Sequence, residues 1–353
     1  MTTFIQAHFL TVYPPANLNR DDVGRPKTAI FGAVPRLRVS SQSLKRAWRT
    51  SDVFKNKLEG RLGSRTMRFG EQIEAHLQSK GASQEKAREI ARAAAGLFGK
   101  VKPENDKNPV YIEQLAFLSS EEKELVLALA ERAFLEQKPI DPKTAGVLRQ
   151  TDSAVDIAMF GRMLASSPDF NREAAVQVAH AITTHRVLVE DDYYTAVDDL
   201  KRPSEDAGAA FVGEAGFGAG VFYLYLCIDR DLLERNLGGN QELANAGIAA
   251  LLEAAATTAP KGKQASFASH ARASYLMVER GDSTPRTLAG AFLSPIKSKD
   301  GEGDYMALSV VALEKHRNSF AKAYGDLTKF AVMNITTGEI ALANAVAFAI
   351  AAT

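Results

Sequence analysis

Four side chains in the run 36-RLRVSSQSLKRAWR-49 offer the most direct chemistry in this sequence. Gln42, Lys45, Arg46 and Arg49 recur at i, i+3 and i, i+4 spacing, which puts one amide and three cations on a single helix face. Leu44, Ala47 and Trp48 fall on the inward side, and Ser40 to Ser43 supply hydroxyls for an N-cap, with a helix from about Gln42. A basic face beside the dipole-positive start of its own helix suits phosphate groups and carries no preference for any base. The same pattern also fits a solvated surface whose charges are balanced by acidic neighbours in the fold.

Other candidate chemistry is weaker. Asp152, Asp156, His180, His185, Asp191 and Asp192 lie near one another in sequence, and carboxylates with histidine can hold a divalent ion, so a metal-dependent ribonuclease is the competing class. Their spacings match no strong ligand signature. Gly216, Gly218 and Gly220 form a G-x-G-x-G run, but the glycines precede a β-prone segment, whereas a dinucleotide loop must open a helix. They read instead as a flexible loop or a close backbone approach. The single cysteine, Cys227, sits in the apolar run 221-VFYLYLCI-228 and reads as core. Tyr193, Tyr194 and Met163 could stack or wedge against bases, although Met163 also fits simple packing.

The charge distribution supports the first of these sites. The 353 residues carry 43 Lys plus Arg and 42 Asp plus Glu, a net of +1. Residues 1–70 hold 13 basic and four acidic residues, a net of +9, leaving −8 on the remaining 283. Attraction is local within a Debye length, so the N-terminal segment is where a polyanion would bind. With 46% hydrophobic and 24% charged residues, the composition excludes a disordered polyelectrolyte, a collagen-like fibre and a disulfide-stapled scaffold. One cysteine forms no internal disulfide, which points to a reducing, cytoplasmic setting. No basic residue precedes Arg20, which argues against a secretory leader, and no apolar stretch approaches the roughly 18 residues a membrane span needs.

The elements that must position these residues follow from periodicity. Phe4 to Val12 reads as a strand, and Arg36 to Val39 as a strand with one wet, basic face. Residues 83–98 and 119–136 read as helices, the second opening with Ser119 and Glu122 at capping-box spacing. Alternation predicts strands at 154–163 and 174–187, an acidic excursion at 190–206, and strands at 221–228 and 274–279. Helices follow at about 240–256 and 305–325. The total is an α+β protein with one helical block and one polar excursion inserted.

The run 17-NLNRDDVGRPKTAIFGAVPRLRVSSQSLKRAWR-49, followed in order by 155-VDIAMFGRM-163, 179-AHAITTHRV-187, 193-YYTAVDDL-200, 220-GVFYLY-225 and 234-ERNLGG-239, closely resembles the CasC-type backbone subunit of the type I-E CRISPR Cascade complex. The resemblance implies a modified RRM-like, ferredoxin-like palm with a helical fingers insertion and a β-hairpin thumb. On that plan the palm takes 1–59, 151–185 and 219–353 (with the C-terminal helices), the fingers 60–150 and the thumb 186–218. It also implies a non-catalytic protein that binds CRISPR RNA in several head-to-tail copies, alongside other Cascade subunits, and meets target DNA through the guide. No cofactor or metal is implied. Arg20, Lys27, Ser40, Gln42, Lys45, Arg46 and Arg49 match positions the family uses around the guide backbone. Arg162 and Met163 match its Gly-Arg-Met turn, and Tyr194 and Thr195 match the thumb. Trp48 stands where the resemblance leads one to expect a smaller Met, which implies altered packing beneath the basic helix.

Overall fold

The computed structural model describes residues 2–141, 146, 148, 151–164, 168–196, 211–298, 303–326 and 328–351. Along the chain its strands are β1 (Phe4–Ala16), β2 (Thr28–Phe31), β3 (Val34–Val39), β4 (Ser64–Thr66), β5 (Ala116–Leu118), β6 (Val176–Val178), β7 (Ala181–Thr183), β8 (Glu190–Ala196), β9 (Phe211–Asp229), β10 (Ala273–Gly281) and β11 (Lys329–Asn334). The helices are α1 (Ser41–Arg49), α2 (Asp52–Lys57), α3 (Phe69–Ser79), α4 (Gln84–Ala95), α5 (Ser120–Glu136), α6 (Val155–Phe160), α7 (Arg230–Asn236), α8 (Gln241–Thr257), α9 (Gln264–Phe267), α10 (Tyr305–Tyr324) and α11 (Leu342–Ile350). The architecture is α+β.

One antiparallel sheet organises the molecule, with strand order β11-β10-β1-β9-β7-β3-β2 and with β6 and β8 also paired to β9. Strand β1 runs through its middle and is buried on both sides. Ile5, Ala7 and Phe9 enter one core with Trp48, Phe54 and residues of α8 and α11. Leu10 enters the other with Tyr223, Tyr275, Phe292 and Leu313, as the period of two requires. His8, also buried, lies 3.2 Å from Glu279, which further accepts hydrogen bonds from Arg286 and Arg317. This satisfies a cluster of charges on a face that would otherwise strand them. Helices α3, α4 and α5 build a separate core with Ala116, Leu118 and Leu164, and the β4–β5 pair stands at its base.

Strand β9 does two jobs. Its C-terminal part pairs with β1, from Gly218 to Asp229, and its N-terminal part, Phe211 to Phe217, pairs with β8 in a hairpin whose β8 residues are all exposed. The expected acidic excursion at 190–206 is therefore strand in its first seven residues; its remainder, like residues 197–210 of the expected thumb, lies outside the described residues. The glycines at 216, 218 and 220 are not in a loop but inside β9.

Two other expectations differ from the structure. Residues 155–160 form helix α6, not a strand: Val155 to Met159 are buried in succession, so the segment lacks the polar stripe that betrays a surface helix. The stretch 174–187 splits into the short strands β6 and β7, both on β9. Arg36 does not face water either. It is fully buried, and its guanidinium donates to the carbonyls of Phe31, Thr183 and Phe292, stitching β3 to two distant segments.

Candidate nucleic-acid interface

Helix α1 begins where the sequence supplies a cap. Ser40 is extended, and its hydroxyl accepts from the Ser43 N–H at 3.3 Å. Leu44, Ala47 and Trp48 are buried beneath the helix, with Trp48 fully enclosed, so Gln42, Lys45, Arg46 and Arg49 are turned outward or half-outward. The helix ends with Arg46 and Arg49 in its last turn, where cations also complement the dipole.

Two cavities of about 550 Å³ each flank this helix and share Arg46. The first is bordered by Arg20, Arg46 and Lys261 together with Asp21 and Asp22, so its charge is mixed. The second is bordered by Gln42, Lys45, Arg46, Arg49, Arg65 and Met163, with Leu115, Phe117 and Phe160 as its apolar wall. Burial and the neighbouring Arg65 hold the Lys45 ammonium below the ordinary lysine pKa. A phosphate placed there would relieve that repulsion. Arg49 is oriented from behind: its guanidinium lies 3.5 Å from Asp156 and 5.0 Å from the centre of the Phe117 ring. Asp156 is itself held by the Gly63 N–H at 2.7 Å, and burial pushes its carboxyl up to about 6.

Met163 is 82% exposed, the highest among the exposed large apolar side chains of the described residues. The structure explains how it is held there. Helix α6 stops at Gly161, whose φ of 79° few other residues tolerate, and residues 162 and 172 then exchange backbone hydrogen bonds at 3.0 and 2.8 Å. Arg162, expected with Met163 among the RNA-binding residues of the Gly-Arg-Met turn, has its guanidinium buried. It reaches both Glu122 carboxylate oxygens at 2.8 and 2.7 Å and also donates to the carbonyls of Phe117 and Phe170. The same Glu122 closes the capping box with Ser119, so one carboxylate anchors both α5 and the turn that presents Met163.

The remaining expected residues are placed separately. Ser40 is buried as the α1 cap. Lys27 lies beside Arg38, whose N–H donates to the Lys27 carbonyl and whose guanidinium is 2.8 Å from His180. Tyr194 and Thr195 are exposed on β8 and line neither cavity. Lys261 and Arg65 are cations at the cavities that spacing alone does not group with α1. The available signal for Lys261 was the short Lys-Gly-Lys sequence just after α8.

The Asp and His residues of the competing nuclease site are not brought together. Asp152 pairs with Arg172, Asp156 with Arg49, His180 with Arg38 and Asp191 with Arg25. His185 accepts from the Val221 N–H, and Asp192 is exposed on the hairpin. Among the described residues no three His, Cys, Asp or Glu side chains are grouped to hold a metal ion. Among them, too, no helix is long and apolar enough to cross a membrane.

The palm-like sheet and its insertions are those of a CRISPR-associated family: the chain belongs to the CT1975-like proteins, whose family model matches residues 5–352. That is the CasC-type group to which the motifs at 17–49 point. Among solved structures, the chain is similar to a subunit of a CRISPR RNA-guided surveillance complex, pre-nicking, at 29% identity and a TM-score of 0.87, over 99% of this chain and 100% of that one. It is also similar to a subunit of a second CRISPR RNA-guided surveillance complex, at 25% identity and a TM-score of 0.75, with the same coverage. No curated protein matches.

Proposed function

We propose that this chain is a non-catalytic CRISPR RNA-binding backbone subunit of a type I-E Cascade complex, working in the cytoplasm. Copies polymerise head to tail along the guide, alongside other Cascade subunits, and present it to target DNA. The observation that carries this reading is one cavity bordered by Gln42, Lys45, Arg46, Arg49 and exposed Met163, in a chain that matches subunits of two RNA-guided surveillance complexes over 99% of its length.

The mechanism is positional. Cations around α1 neutralise phosphates and release their counterions, which supplies affinity without reading sequence. Gripping the backbone leaves base edges free for Watson–Crick pairing, so the guide contributes the sequence and the protein the strand shape. Met163 offers an apolar surface among cations and presses against a base. The β8–β9 hairpin, with Tyr194 and Thr195, interrupts the strand and extends toward the next copy. A head-to-tail contact is heterologous and propagates instead of closing.

The test is anisotropy with a fluorescein-labelled single-stranded RNA at physiological salt. Lys45→Glu with Arg49→Glu should weaken binding at least about tenfold and flatten the log–log salt dependence by about 0.7 for each phosphate no longer neutralised. Unchanged affinity would overturn the reading. Cleavage of that RNA in Mg²⁺ or Mn²⁺, abolished by Asp156→Ala, would overturn the non-catalytic part.

A further inference from the structure

The loop joining β1 to β2, residues 17–27, touches three parts of the molecule at once. On one side it holds the hairpin. Asn17 is buried, and its amide donates to the Gly24 and Gly216 carbonyls, both at 3.0 Å, which ties the loop's own turn to β9. Arg25 reaches Asp191 at 2.7 Å and Glu214 at 3.6 Å. Asp191 is opposite Gly216 and Glu214 opposite Tyr193, so these carboxylates are diagonal neighbours on one face of the hairpin and belong to different strands. Gly216 allows the contact: a Cβ there would stand 3.0 Å from the Pro26 ring and 3.2 Å from Val189.

On the other side the loop holds the floor of the basic site. Asn19 Oδ1 accepts from the N–H of Ser40, the cap of α1, at 2.9 Å, and Arg20 borders the cavity that it shares with Arg46. The loop is also stiff. Asp21 accepts from the N–H groups of Val23 and Arg25, and residues 20 and 26 form a β-bridge.

We infer that the 17–27 loop is a mechanical link that sets the orientation of the β8–β9 hairpin relative to helix α1, with Asn17 and Arg25 as its positioning residues. Its purpose, to hold the hairpin in register with an RNA strand on α1, rests on the function proposed above; its geometry does not. A strand bound at Arg20 and Arg46 thereby favours one hairpin orientation, because the same loop contacts both. The Arg25 pairs are partly exposed and individually weak. Asn17 is the stronger tie, since its two hydrogen bonds are buried.

Electron–electron distance measurement between nitroxides on Val212→Cys in the hairpin and Val311→Cys on α10 tests this, both positions being exposed. Cys227 is buried, with its thiol pushed up to about 11, and stays unlabelled. The parent chain without RNA should give one narrow distance. Asn17→Ala and Arg25→Glu should each broaden it, and Arg25→Glu combined with Asp191→Arg should restore it. The anisotropy affinity of Arg25→Glu should fall by less than about fivefold, the scale of an exposed ion pair. A narrow distance retained in both single variants, or no recovery on charge exchange, would overturn the link. Arg25 is partly exposed, so Arg25→Glu and its exchange partner keep the test valid if Asn17→Ala fails to fold. A parent with a narrow distance that binds no RNA would overturn the proposed function and leave the link standing.

Discussion

Arg162 and Asp156 lie just behind the groove and show what its surface residues depend on. Arg162 is enclosed with Glu122, and removing one member of such a pair leaves the other charge buried. Arg162→Met should therefore cost about 3–5 kcal/mol in urea unfolding. Adding Glu122→Gln should recover most of it, and a loss below about 1 kcal/mol for the single variant would contradict the assignment. Asp156 has a pH signature. Burial raises its folded-state pKa from 3.8 to about 6, so its contribution to stability is full below 3.8 and is lost as pH rises through about 6. Asp156→Asn keeps an acceptor for the Gly63 N–H and removes the ionisation. The fall in melting temperature from pH 5 to pH 7.5 should be smaller in this variant than in the parent. An identical fall in both would show that this carboxyl does not titrate as placed.

Helix α1 is the element on which the site stands, and its first turn rests on a single side chain. Ser40→Ala removes the hydroxyl that accepts from Ser43, which should cost about 1 kcal/mol of stability while leaving the buried Trp48 side packed. Circular dichroism melts would show it, and no loss would mean that the cap is idle. This helix was readable from the sequence because cap, period and burial agree, as they do for α5 with its Ser119–Glu122 box and for α8 behind Asn240. Helix α6 was not, because a helix buried on successive residues shows no 3.6-residue stripe and its Val-Asp-Ile-Ala-Met alternation imitates a strand. Charge misleads in the same way. Arg36 reads as a wet cation and Arg162 as an RNA-binding one, and only partners 147 residues away, at Thr183, and 40 residues away, at Glu122, reveal that they are internal. The basic face of α1 was legible from local spacing. Arg65, Lys261 and the apolar wall were not, since tertiary contact alone brings them to α1.

At the scale of the molecule, the net charge of +1 is the sum of two opposed regions. Five basic residues of the first seventy positions, Arg20, Lys45, Arg46, Arg49 and Arg65, border the two cavities around α1, while Glu190, Asp191 and Asp192 line an exposed hairpin strand that is poorly suited to phosphate. The large antiparallel sheet holds these two parts in one body, with β9 running from the hairpin into the centre of the fold. On the proposed function, the basic region takes the guide and the acidic hairpin spaces the strand and meets the next copy. The most direct test is native mass spectrometry of the purified chain mixed with single-stranded RNAs of increasing length. The account predicts RNA-dependent species carrying integer numbers of chains, with the number rising as the RNA lengthens and no such series without RNA. A single chain bound whatever the RNA length, or no bound RNA at all, would contradict it.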